Sequence, residues 1–150
     1  MSSFNFRLES LQKIREAERD RRREELGKAF AARKVLRNQQ EEVSQEIQQS
    51  QNASRECSQP GDVDIDKLMN FHRHTLVMKS QLEQLGRQIE AVDKEIENRR
   101  RALSAADQQV KVLEKLRARQ FARHKYEQER RETKRLDEIA TVGHLRDHMA

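Results

Sequence analysis

Between Leu68 and Leu113 apolar residues recur every seven positions, and few folds can use such a pattern. One place of the repeat holds Leu68, Thr75, Leu82, Ile89, Ile96, Leu103 and Val110, and its companion holds Phe71, Met78, Leu85, Val92, Arg99, Ala106 and Leu113. Apart from Thr75 and Arg99 every place is apolar. A straight helix would let such a stripe drift by about 20° per heptad, so a strict repeat implies a left-handed supercoil around a partner helix.

The partner is found on the other side of the sole proline. Pro60-Gly61, within Ser58-Gln59-Pro60-Gly61-Asp62, is the one stretch that reads as a chain reversal, because Pro60 cannot continue a helix. Asp62 or Asp64 can cap the helix that follows. Asp62, Asp64 and Asp66 also mimic the start of a calcium loop, but Lys67 replaces the required Gly and Arg73 the closing Glu, so they read as caps and surface charge.

Before the turn the repeat is weaker. Leu26, Ala29, Leu36, Val43 and Ile47 fit one seam with Arg33 and Gln40 inside it, and Phe4, Leu8, Leu11 and Ile14 form an earlier cluster. From Arg15 to Glu25 every residue except Ala17 is charged, so no face there offers an apolar stripe, and opposite charges at i,i+4 must hold the helix. Folding about Pro60-Gly61 brings this block beside Arg99-Arg100-Arg101, where its Glu residues can meet basic partners.

The expected fold class is all-α: a long antiparallel two-helix coiled-coil hairpin with the second helix longer than the first. Helix one covers about residues 4–57, the turn about 58–63 and helix two about 64–143, in one unit spanning 1–150. At 1.5 Å per residue the arms differ, roughly 80 Å against 120 Å, so residues beyond about Leu116 project past the start of helix one. There the seam fails, with Arg117, Gln120, His124, Glu127, Arg131 and Lys134 in its places. A polar helix without a packed face is marginal in water, so this overhang calls for a partner. Phe121 and Tyr126 lie on it, open to either partner contact or burial.

Composition excludes much else. With 34% hydrophobic and 38% charged residues and no Trp, the chain cannot build an ordinary globular core, and four Gly and one Pro leave too few turns for most sheet folds. The net charge of +5 comes from interleaved Lys, Arg, Asp and Glu rather than a basic block, which favours a solvated helix surface over a nucleic-acid interface. No phosphate loop, GxSxG turn, HExxH or Cys-x-x-Cys is present, and no enzyme activity or cofactor is expected. His144 and His148 have a zinc-compatible i,i+4 spacing but no third ligand, and His72 and His74 point to different faces, so no metal is expected. Cys57 lies beside the turn as an exposed or half-exposed thiol. There is no secretory leader pattern and no run of 18 apolar residues, so the expected location is cytoplasmic, without direct membrane insertion.

The two ends carry a resemblance. Phe4-Asn5-Phe6-Arg7-Leu8-Glu9-Ser10-Leu11 precedes a charged helix, and Leu113-Glu114-Lys115-Leu116-Arg117, Tyr126, Arg130-Arg131-Glu132 and Lys134-Arg135-Leu136-Asp137-Glu138-Ile139-Ala140 follow near the other end. Over nearly its whole length the chain resembles the flagellar FliJ family of type III export proteins. The Phe-x-Phe-x-Leu and Leu-Asp-Glu strings are its most specific parts. The resemblance implies a non-catalytic coiled coil, similar to the central stalk of rotary ATP synthases, that inserts into the hexameric export ATPase. It also implies contact with the cytoplasmic domain of the export gate and with export chaperones, and hence peripheral association with the membrane apparatus through protein partners.

By the same resemblance, ATPase contact falls to Phe6, Leu8 and Leu11, to Glu114, Lys115 and Leu116, and to Tyr126, Arg130, Glu132, Leu136, Asp137 and Glu138. Gate contact falls to Phe71, His74 and Met78. Helix one departs from the family, since Gln48, Gln49 and Gln51 stand where some relatives carry Tyr. Two other readings rest on residues alone: a generic coiled-coil scaffold that tethers partners, and a nucleic-acid binder using Arg19 to Arg23, Arg99 to Arg101 and Arg117 to Arg135. A monomer is expected, because Arg33, Gln40 and Arg99 inside the seam disfavour a larger bundle.

Overall fold

The computed structural model describes residues 4–61 and 63–149, with side chains through residue 144. Two helices account for nearly all of them: α1, Glu9–Glu56, and α2, Ile65–Met149, of 48 and 85 residues. No strand occurs among the described residues, and the helices pack against each other as a hairpin with the second the longer. The chain divides into two compact units. Asp20–Ser104 forms the turn unit, and Met1–Arg19 with Ala105–Ala150 forms the terminal unit.

The link between the helices is built from local hydrogen bonds. Cys57 N–H still bonds Ala53 O, but Ser58 and Gln59 tighten onto Arg55 O and Glu56 O, and the Ser58 hydroxyl donates to Ser54 O at 2.7 Å. Gly61 has φ of 135°, a conformation open to glycine and strained for residues with a Cβ. Asp62 lies outside the described residues, and Asp64 is the cap: its carboxylate accepts from the backbone N–H of Lys67 at 3.1 Å and pairs with the Lys67 ammonium at 3.3 Å. That N–H, followed by the ammonium, holds the Asp64 carboxyl below its usual value.

A carboxyl with a lowered pKa stabilises the fold fully above its unfolded value of about 3.9 and loses that contribution as pH falls through the folded value. Asp64→Ala is therefore expected to lower the melting temperature at pH 7 and to lower it by a smaller margin at pH 2, because the contribution of the cap falls as pH drops through the folded value. Thermal melts followed by circular dichroism check this; an equal difference at both pH values would count against the cap.

Within the turn unit the pairing is antiparallel, as rising numbers on α1 meet falling numbers on α2. Arg99 donates to the backbone O of Glu25, Arg33 Nη1 meets Asp93 Oδ1 at 3.1 Å, and the hydroxyls of Ser50 and Thr75 lie 3.2 Å apart. Every place of the α2 seam from Leu68 to Leu103 in this unit is buried or half-buried. On α1 the matching places alternate by four and three residues: Arg22, Leu26, Ala29, Arg33, Leu36, Gln40, Val43, Ile47, Ser50 and Ser54. All of these are buried or half-buried too.

The meeting of the charged block with the arginine triplet differs from expectation. The Glu25 carboxylate takes Arg21 and Arg22 of its own helix, at 3.4 and 3.6 Å, while Arg99 reaches the Glu25 carbonyl and, at 2.7 Å, Glu95. Arg101 turns to Glu97, and Arg100 lies over the Phe30 ring at 5.3 Å, opposite Arg33 at 5.0 Å. Neighbours one helical turn away are within reach of short side chains. A seam arginine must instead extend along the partner helix, where the second lone pair of a helical carbonyl accepts it.

Candidate functional site

The terminal unit begins with a segment that is not helical. Residues 4–6 adopt no regular secondary structure, a turn follows at Arg7 and Leu8, and Glu9 N–H bonds Phe6 O at 3.0 Å as α1 starts. Helix one thus begins five residues later than the sequence suggested. Phe6 is only 3% exposed, and it anchors the segment. Phe4 meets Phe121 edge to face, with ring centroids 5.4 Å apart, and lies 5.7 Å from the His124 ring. Such a pair adds about 0.5–1.5 kcal/mol beyond the area it buries.

From Leu8 the α1 seam runs through Gln12, Arg15 and Arg19, all buried or half-buried, against a core of Ala106, Val110 and Leu113 on α2. Leu11 and Ile14, expected in the apolar cluster, are exposed instead. Leu8, Leu11 and Ile14 are spaced by three, which drifts off a face that repeats by alternating threes and fours. The charged block does have a covering face, since Arg15 and Arg19 are half-buried, as arginine stems can cover apolar surface. Gln12 Nε2 donates to Glu16 at 2.8 Å, and its buried Oε1 has no partner among the described residues. A shallow groove beside it is lined by Phe4, Glu114, Arg117, Ala118 and Phe121.

Past His124 the character of α2 changes. Of residues 125–144 only Gln128 is even half-buried, while Tyr126, Leu136, Ile139 and Val142 stand exposed. The free overhang therefore starts about eight residues later than α1 alone would set it, because residues 4–8 cover α2 as far as His124. Counted to Met149 it spans about 37 Å at 1.5 Å per residue. The helix runs through Gly143 without ending there. His148 lies outside the described side chains, and no cluster of metal-ligating residues occurs among the described ones.

The family-derived residues fall into three settings. Phe6 is buried, and Leu8 and Leu116 are half-buried at the edge of the terminal core. Leu11, Glu114 and Lys115 are exposed around it. Tyr126, Arg130, Glu132, Leu136, Asp137 and Glu138 are exposed on the overhang. In the turn unit, Phe71 and Met78 are half-buried seam places, whereas His74 is exposed. Phe71 sits between two shallow grooves, one lined by Glu46, Gln49, Ser50, Ala53 and His74, the other by Gln51, Ser54, Arg55, His72, Thr75 and Lys79.

The family described as Flagellar FliJ protein matches residues 4–148, nearly the whole chain and all of the residues just placed. The chain belongs to the FliJ family. No curated protein and no solved structure gives a match. FliJ membership makes the chain a component of the flagellar export apparatus. As a FliJ protein it has no helix, among the described residues, long and apolar enough to cross a membrane. The N-terminal Phe-x-Phe-x-Leu string takes on a structural meaning here, with Phe6 buried and Phe4 packed on Phe121 of α2. The partners of Phe4, namely Phe121 and His124, escaped the sequence reading. Counting outward equally from Pro60-Gly61 pairs residue 4 with residue 117, one helical turn short of Phe121.

Proposed function

We propose that this chain is a non-catalytic, stalk-like subunit that binds the hexameric ATPase of the flagellar export apparatus, promotes its assembly or activity, and links it to the export gate and to export chaperones. The support is the overhang: a helix of about two dozen residues with Tyr126, Leu136, Ile139 and Val142 exposed buries no side chain fully among the described residues, and such a helix is stabilised by a partner. FliJ membership supplies the class of partner.

ATPase contact in this reading is made by Tyr126, Arg130, Glu132, Leu136, Asp137 and Glu138 on the overhang. Leu11, Glu114, Lys115 and the half-exposed edges of Leu8 and Leu116 add to it, with Phe6 holding the surface from behind. Gate contact is assigned to the region of Phe71, His74 and Met78, where His74 is exposed and the other two offer only their outer edges. The protein works in the cytoplasm at the membrane apparatus. The purified chain is expected to raise the turnover or the hexamer fraction of its cognate export ATPase; a folded sample that changes neither would refute the reading.

A further inference from the structure

The turn unit carries a second apolar stripe, distinct from the seam. Ile65, Met69 and Leu76 are 70%, 49% and 54% exposed, and the exposed His72 lies between Met69 and Leu76. Their spacing along α2 is four, three and four residues, which keeps all four on one helix face. The seam residues Leu68, Phe71 and Thr75 fall on a neighbouring face, so the stripe is not used in pairing with α1.

That spacing reads the same in both directions. An antiparallel copy of the same helix would set Ile65 against Leu76 and Met69 against His72, and then each again by symmetry. Charge agrees with this register. Asp66 and Arg73 are a heptad apart on one flank of the stripe, and neither has an ion-pair partner among the described residues, unlike the local Asp64–Lys67 pair next to them. In antiparallel helix pairs like flanks face each other, so Asp66 of one copy comes within a helical turn of Arg73 of the other, twice per pair. A two-fold, self-complementary contact of this kind closes on itself rather than growing into a fibre.

We infer that the Ile65, Met69, His72 and Leu76 face of α2 is a self-association surface on which two copies of this chain pair antiparallel. The coiled-coil seam takes no part, so the polar seam residues that disfavour a larger bundle do not oppose it. The patch is small against the about 1,600 Å² of a standard interface, which makes the association weak and dependent on concentration. It stands independently of what the overhang binds.

Sedimentation of the full chain tests this between about 10 µM and 1 mM, with reductant present to keep the half-exposed Cys57 thiol free. The weight-average mass is expected to climb toward that of a dimer, and Leu76→Asp, at an exposed site that leaves the fold intact by circular dichroism, is expected to hold it at the monomer. Asp66→Arg or Arg73→Asp alone should weaken pairing, and the two together should restore it. A chain that stays monomeric throughout, a dimer indifferent to Leu76→Asp, or a double swap that fails to restore pairing would each overturn the proposal.

Discussion

Ending the chain after His124 is expected to leave the hairpin folded while abolishing the proposed stimulation of the export ATPase. Residues 125–144 contribute no fully buried side chain, so their loss removes little hydrophobic stabilisation from the terminal core of Phe6, Ala106, Val110 and Leu113. The ring cluster of Phe4, Phe121 and His124 is retained. The measurement pairs a thermal melt with ATPase turnover at saturating chain. A melting temperature within a few degrees of the full-length value and stimulation lost entirely is the expected pair of results. Full stimulation by the shortened chain would move the ATPase contact off the overhang.

A second large effect is expected at Ile96. It is 3% exposed, in a seam place of the turn unit, and the smaller side chain of alanine would leave a cavity that two helices can only partly close. Ile96→Ala is expected to cost about 2–4 kcal/mol, read as a lower midpoint in urea denaturation. Val112 provides the contrast, since it is 64% exposed and Val112→Ala should fall within about 0.5 kcal/mol of wild type. Similar losses at both sites would mean that the heptad register is not the one described.

How far the fold could be read from the residues varies along the chain. The α2 seam was legible because hydrophobicity itself carries the period from Leu68 to Leu113. The α1 seam was only partly so. Its places at Gln12, Arg15, Arg19, Arg22, Ser50 and Ser54 are polar, and a search for apolar recurrence passes over them although the whole seam alternates by threes and fours without a break. Arginine is the reason: a long stem fills a seam place while the charged head reaches Asp93, as Arg33 does, or a backbone carbonyl, as Arg99 does.

The aspartate cap was legible from local chemistry, since an acid three residues before Lys67 can meet its free N–H. The N-terminal fastening was not, because nothing near Phe4 in the sequence indicates a ring so remote along the chain. The overhang was legible as a failed seam, and its start was misplaced for the same reason, as the residues that cover it to His124 are not helical. The exposed stripe at Ile65, Met69 and Leu76 was missed because it overlaps in sequence with the stronger seam repeat.

The fastening of Phe4 to Phe121 also has a consequence for the order in which the molecule assembles. Ser50 and Thr75 are separated by 25 residues and Arg33 and Asp93 by 60, so these contacts close short loops and can form early. Phe4 must wait until Phe121 has left the ribosome, so the residues around Phe4 are among the last to settle. On this view the hairpin zips outward from Pro60-Gly61 and opens in reverse. Amide exchange should then be slowest at seam positions near Ile89 and Ile96, and fastest where the beginning of the chain meets α2.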